Sequence, residues 1–239
     1  MGASNVVVTG LGVISPIGES VAEVTASLLA MRSGIRTWTA ESLKKAFPAG
    51  VVASRFDSRF TGLELPYLDR CSQMALLASD QAVAAAGLGD LAPFGDRAGV
   101  YYGTVRGGAA TEEAWVRQFH MEGKQVSRPF TMLASMLNAG AAQISIRHHV
   151  LGPTMTHSSA CASSGAAIGD AFRAIRNGDL DLAIAGGAEA SLIPSIFAAW
   201  DGIRALATPD PEDVGRSCRP FSKHRRGLVV ASATSRGPP

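Results

Sequence analysis

Thr154-Met155-Thr156-His157-Ser158-Ser159-Ala160-Cys161-Ala162-Ser163-Ser164-Gly165-Ala166-Ala167 is an extended run that turns sharply into small, helix-competent residues. The strand, read from Leu151 to Ser159, delivers Cys161 to the edge of a sheet. The helix behind it carries Ala167, Ile168, Ala171 and Ile175 as an inward stripe, turns Asp170, Arg173 and Asn177 to water, and is stopped by Gly178. The start of such a helix points unpaired backbone N–H groups and the positive end of its dipole at the sulfur. The thiolate is the nucleophilic form of cysteine, and helix N-termini favour it. Most free cysteines are buried packing residues, but an apolar core has no need of the serines that flank this one. Cys161 is therefore a candidate nucleophile.

The same alternation runs outward in both directions. Upstream, Ala98–Gly103 reads as a buried strand, followed by the glycine-rich turn Thr104-Val105-Arg106-Gly107-Gly108. Downstream, Leu180–Ala185 is a short buried strand before Gly186-Gly187, and Leu228-Val229-Val230 is another. The chain opens on Val6-Val7-Val8-Thr9, read as a buried strand ending at Gly10. Between the strands lie helices. Residues 19–31 place Val21, Val24, Leu28 and Leu29 on one side, and residues 69–86 repeat Met74, Leu77, Ala78, Ala82 and Ala85 at helical spacing before Gly87. Cys71 falls inside that helix and is read as packing. Helical material also covers about 110–121 and 131–146, whereas 32–66 reads as irregular. Near-continuous apolar strands alternating with helices predict an α/β layered fold with a mostly parallel core sheet.

Composition bounds the function. The 239 residues are 46% hydrophobic and 18% charged, enough for a sizeable core, and the net charge of +2 gives no reason to expect nucleic acid or an anionic membrane as partner. No 18-residue apolar run spans a bilayer, and no basic segment with an apolar stretch marks a secretory signal, so the expected compartment is the reducing cytoplasm. Three scattered cysteines form neither a disulfide framework nor a zinc pattern. Gly10-Leu11-Gly12 fails as a dinucleotide fingerprint, because the third glycine would fall at Ser15.

A cysteine nucleophile ordinarily works with a histidine. His157 lies four residues before Cys161 on the same strand, roughly 13 Å away at about 3.3 Å per residue, and is out of reach while the strand is straight. His148 and His149 read as surface or capping histidines at a helix end, His120 as solvated, and His224 as part of a basic loop. None supplies the base.

The chain resembles the N-terminal half of the β-ketoacyl-[acyl-carrier-protein] synthases, the condensing enzymes of fatty-acid and polyketide synthesis. The likeness rests on Val7–Gly18, Gly103-Thr104 with Gly107-Gly108, Ser159-Ala160-Cys161-Ala162-Ser163, Gly178–Glu189, Arg204–Thr208 and Arg219-Pro220-Phe221, in this order and spacing. It implies a thiolase-like layered fold (α/β/α/β/α in complete members) and a synthase N-terminal domain over 1–230. Cys161 then matches the acyl-accepting nucleophile, its backbone N–H one donor of an oxyanion hole. The acyl-enzyme condenses with malonyl carrier by decarboxylative Claisen chemistry. No cofactor or metal is implied beyond the phosphopantetheine of the acyl carrier protein that carries the substrates. Arg204 matches a basic position used for docking that carrier. Arg106 falls where elongating members place an apolar residue in the acyl pocket, which hints at a polyketide, polyene or short-primer substrate. The strand before Cys161 pairs across a dimer axis in the family, so a homodimer, or a heterodimer with a related synthase, is expected.

The same resemblance places two histidines, a lysine and the second oxyanion donor in a second half that these residues do not include. Residues 231–239 depart from the family as a tail, which is read as a sign of truncation or a frameshift, and the isolated chain is expected to be inactive in condensation. Other readings are a coenzyme A thiolase and a chain-length-factor-like or vestigial dimerisation partner. Arg219-Pro220-Phe221 and Gly187-Ala188-Glu189 favour the carrier-dependent synthase over the thiolase, and retention of Cys161 argues against the partner. An α/β-hydrolase is disfavoured because both elbow glycines are absent around Cys161.

Overall fold

The computed structural model describes residues 5–233, which divide into two compact units. One joins the segment ending at Gly12 to Phe56–Glu189; the other joins Val13–Arg55 to the segment beginning at Ala190.

The first unit is built on a three-stranded parallel sheet in the order β4-β3-β5, comprising β3 (Ala98–Gly103), β4 (Thr154–His157) and β5 (Leu182–Gly187). Every residue of β3 is buried, as a central strand covered on both faces must be. Helix α6 (Ser163–Asn177) lies against β3 and β5, where Ala167 and Ala171 pack with Tyr101 and Leu180. Gly178, at a φ of 83°, ends α6 in the left-handed conformation that glycine adopts without strain. Ile168 departs from the predicted inward stripe. It is about half exposed, because only the Ala167–Ala171 edge of the helix meets the sheet.

Helix α2 (Arg70–Ala85) matches its sequence bounds, with Asp69 as N-cap and Gly87 left-handed just beyond its end. It packs on α5 (Ala139–Arg147). Residues 131–146, expected as one helix, are two: α4 (Thr131–Ser135) and α5, parted by the extended Met136. Nothing in the local sequence forces that break. It falls where the Gly107-Gly108 turn comes against Ala134–Leu137, so closely that a β-carbon on Gly108 would collide with the Ala134 carbonyl. Helix α3 (Ala109–Met121) completes the unit.

The opening Val6–Thr9 run is not a strand. It pairs with no other segment among the described residues, and Val7 and Val8 are 72% and 80% exposed. β-Branched residues favour an extended backbone, but a strand exists only where a neighbouring edge takes up its hydrogen bonds. The segment instead runs along α2. Side chains at Gly10 and Gly12 would strike the Ala82 and Ala78 carbonyls, so these glycines serve close approach rather than a turn.

The second unit contains two strands in the region read as irregular. Strand β1 (Ile35–Trp38) pairs antiparallel with β2 (Phe47–Val52), and β6 (Val230–Ala233) adds in parallel to the other side of β2. Pro48 and Gly50 hid β2, and β1 is only four residues long. The core is aromatic: Trp38 stacks on Phe197 of helix α7 (Pro194–Gly202) at 4.2 Å, and Phe47 tilts against the same ring. Helix α1 (Val21–Leu29) is capped by Ser20, which accepts from the Glu23 N–H, while the Glu23 carboxylate accepts from Glu19. Its expected apolar face is not its buried face. Val21, Leu28 and Leu29 are exposed, and Ser27 is the residue that is buried. Of the 231–239 tail, β6 takes in residues up to 233, and 234–239 lie outside the described residues.

Candidate active site

Cys161 stands just past the C-terminal end of β4, before the first turn of α6, with its side chain exposed. Two overlapping turns present it. The Ser159 carbonyl accepts from the Ala162 N–H at 3.1 Å, and the Ala160 carbonyl from the Ser163 N–H at 3.1 Å. Neither turn uses the Cys161 amide. Ala160 sits at a φ of 51°, a left-handed conformation that costs an L-residue roughly 1–2 kcal/mol. The Ser163 side chain spans this strained corner. Its Oγ accepts from the Ser159 N–H at 2.8 Å and donates to the Ala160 carbonyl at 2.7 Å, and the residue is almost wholly buried.

The helix start is pressed against the sheet. A β-carbon on Gly103, the last residue of β3, would overlap the Ser163–Ser164 peptide, and one on Gly187, the last of β5, would overlap Ser164 Oγ and the Gly103 carbonyl. Gly103 ends its strand as the sequence reading has it, whereas Gly187, read as following a strand, is itself a strand residue; both let α6 approach. The C-terminal ends of three parallel strands thus converge on the cysteine turn, the usual place for a site in an α/β sheet.

In the same unit, a buried polar cluster ties down the neighbouring loops. Asp69 accepts from the Cys71 N–H at 2.9 Å and from both the N–H and the hydroxyl of Thr111, joining the starts of α2 and α3. Burial pushes its carboxyl above the ordinary value against the pull of those bonds. Cys71 Sγ lies 3.1 Å from Tyr102 Oη and 3.3 Å from the Ala188 carbonyl. Burial drives this thiol up to about 12 and carries the Tyr102 phenol well above its usual value. Glu189 accepts from the N–H groups of Val105 and Arg106 at 2.9 and 3.2 Å, fixing the turn after β3. Glu189 belongs to a motif quoted above, but nothing local in the sequence showed what it holds.

The other sequence candidates lie as follows. Arg106 is anchored through its backbone while its side chain is exposed. Arg204, exposed at the end of α7 with a φ of 56°, belongs to the second unit. His157 ends β4 with its ring stacked near Tyr101 and its Nδ1 3.4 Å from Asp170 of α6. His149 follows the C-cap of α5 at a φ of 52° and reaches Asp90 at 2.9 Å. His148 is the C-cap of α5, in line with the capping reading, but it is buried rather than at the surface, 3.0 Å from Ser79 Oγ of α2. His120 lies in the last turn of α3, and His224 in an exposed loop.

Comparison with known proteins bears on this geometry. Residues 3–235 match the family model described as beta-ketoacyl synthase, N-terminal domain. The 3-oxoacyl-[acyl-carrier-protein] synthase 2 of Staphylococcus aureus (strain COL) is 32% identical over 228 residues, covering 94% of this chain and 55% of that protein. Among solved structures, a beta-ketoacyl synthase from Burkholderia phymatum superposes with a TM-score of 0.83 at 28% identity, over 97% of this chain and 57% of that one. The ishigamide ketosynthase/chain length factor does so at 0.82 and 30%, over 93% and 55%. The chain therefore spans about half the length of the curated relative it matches.

Proposed function

The chain belongs to the β-ketoacyl synthase family, as its N-terminal domain, and on that premise we propose that Cys161 accepts an acyl group from a carrier-protein thioester. The thiolate attacks the thioester carbonyl, the C–S bond to the carrier's phosphopantetheine breaks, and the carrier leaves as its thiolate, which takes a proton from water. In this reading the Cys161 amide, which neither turn uses, donates to the oxyanion of the intermediate. In the complete reaction a malonyl carrier loses CO2, and the carbanion attacks the acyl-cysteine carbonyl. The β-ketoacyl carrier is released and the thiolate regenerated. The base and second oxyanion donor of that step have no counterpart identified in these residues. For these residues the proposal is therefore confined to accepting the acyl group on Cys161, with the carrier's phosphopantetheine as the group that brings it.

What carries this reading is the exposed Cys161 at the convergence of three parallel strand ends and a helix start. The name of the Staphylococcus aureus relative supports an acyl carrier protein as donor. Arg204, exposed on the second unit, is the proposed contact for that acidic carrier, and Arg106 the residue that disfavours a long saturated acyl chain, since burying an unpaired guanidinium is costly. Strand β4 is an edge of its sheet with Met155 exposed, which supports pairing with a second copy or with a related synthase. Among the described residues no helix is long and apolar enough to cross a membrane.

Incubation with an acyl-pantetheine thioester, read by intact mass, tests the proposal. One acyl adduct is expected on the wild-type chain and none on Cys161→Ala, with no β-ketoacyl product when malonyl carrier is added. Absence of any adduct would favour a non-catalytic partner role, and rapid β-ketoacyl formation would show that the chain needs no second half.

A further inference from the structure

We infer that Ser163 is a positioning residue for Cys161: its buried hydroxyl clamps the left-handed Ala160 corner and so fixes the direction of the Cys161 thiol and amide. The inference rests on the acyl-acceptor reading above and adds to it a residue that touches neither substrate nor sulfur. The geometry is specific. A single hydroxyl accepts from Ser159 and donates to Ala160, the two residues immediately before the cysteine. The Ala160 carbonyl takes a second bond from the Ser163 N–H, so the N–H and the hydroxyl of Ser163 hold the same corner. Ala160, unlike glycine, does not rest at a φ of 51° by preference, and something must hold it there. β4 cannot, because its ladder with β3 ends at His157, four residues before Cys161.

Freed of the hydroxyl, the corner relaxes toward φ below zero and swings the Cys161 N–H away from where an oxyanion forms. The sulfur stays exposed, so its plain reactivity changes little. Acyl transfer and simple alkylation should therefore separate. In Ser163→Ala, acyl transfer from an acyl-pantetheine thioester should slow by roughly ten- to a hundred-fold, the size expected when a reacting group is misplaced by about an ångström. Alkylation of Cys161 by iodoacetamide, which needs no oxyanion donor, should change by less than about two-fold. Glycine takes the left-handed conformation without strain, so the double variant Ala160→Gly with Ser163→Ala should recover most of the lost acyl transfer. A residue that served only to stabilise the fold would not be rescued that way.

Equal acyl-transfer rates in wild type and Ser163→Ala would overturn the inference, as would a loss that Ala160→Gly does not restore in a variant still folded by circular dichroism. If the wild-type chain takes no acyl group at all, the acyl-acceptor reading fails instead, and amide hydrogen exchange across 159–163 decides the clamp. Faster exchange in Ser163→Ala, slowed again by Ala160→Gly, upholds it; unchanged exchange overturns it.

Discussion

Cys71 and Cys161 occupy the same kind of place and have opposite characters. Each stands at the N-terminal end of a helix near the β4-β3-β5 sheet, Cys71 in the first turn of α2 against Tyr102 of β3 and Cys161 just ahead of α6. Each would therefore feel the same helix field. Cys71, however, is enclosed between Tyr102, Thr104 and the Ala188 carbonyl, with Asp69 and Glu189 close enough to add negative field. Burial alone is enough to make it inert. Cys161 has the helix start without the enclosure. The comparison teaches that a helix N-terminus does not make a nucleophile. Access does: Cys161 is exposed where Cys71 is enclosed.

The sharpest way to break this contrast is to compare the thiols directly. With its thiol at about 12, only about one Cys71 in 10,000 is ionised at pH 8, and the buried sulfur meets no reagent. Iodoacetamide applied to the native chain should label Cys161 and the exposed Cys218 and leave Cys71 unlabelled, and all three should react in denaturant, as peptide mapping would show. Labelling of native Cys71 at a rate near that of Cys161 would mean that its enclosure opens readily, and the contrast would collapse.

The next effect is on the platform that both cysteines share. Gly103→Ala puts a methyl group into the Ser163–Ser164 peptide, which is backbone and cannot swing aside. Forcing α6 off the sheet should cost about 2–3 kcal/mol or more, read as a lower denaturant midpoint. Iodoacetamide labelling of Cys161 should survive in the molecules that stay folded, while acyl transfer falls. A Gly103→Ala chain as stable as wild type would show that α6 does not need this close approach.

How much of this was legible in the sequence follows from where each piece of information resides. The strand, turn and helix around Cys161 could be read locally because each uses local signals: an extended run, small residues, a terminal Gly178. Helix α2 could be read for the same reason, from Asp69 to Gly87. The failures are tertiary. Val6–Thr9 has strand composition but no partner, and α1 buries Ser27 in place of its leucines, since a stripe says which side is apolar and not which side is covered. Gly103 and Gly187 were visible as glycines, but whether a glycine serves a turn or a close approach depends on a helix sixty or more residues away in the case of Gly103. Ser163 was quoted as a neighbour of the cysteine. Its role needed the left-handed Ala160, which no composition announces.

The smallest effect concerns the second half of α2, the helix whose start encloses Cys71. There His148 Nε2 lies 3.0 Å from Ser79 Oγ and 3.4 Å from Asp80. Burial holds its imidazole below the ordinary histidine value, and the neighbouring Asp80 carboxylate, which pulls the other way, does not overcome it. The folded chain therefore binds fewer protons at His148 than the unfolded chain in the range just below about pH 6.5. Its contribution to stability is complete above that pH and shrinks as the pH falls toward the lowered folded value, because the unfolded state gains the proton first. His148→Gln keeps a hydrogen-bonding group beside Ser79 and removes the titration. Melting temperature should fall between pH 7.5 and 5.5 in the wild type and fall less in the variant, and over the same range iodoacetamide should reach Cys71 faster in the wild type once rates are corrected for thiolate fraction. Parallel pH profiles for the two chains would detach His148 from the enclosure of Cys71, leaving the Asp69, Tyr102 and Ala188 contacts at the near end of α2 to account for it.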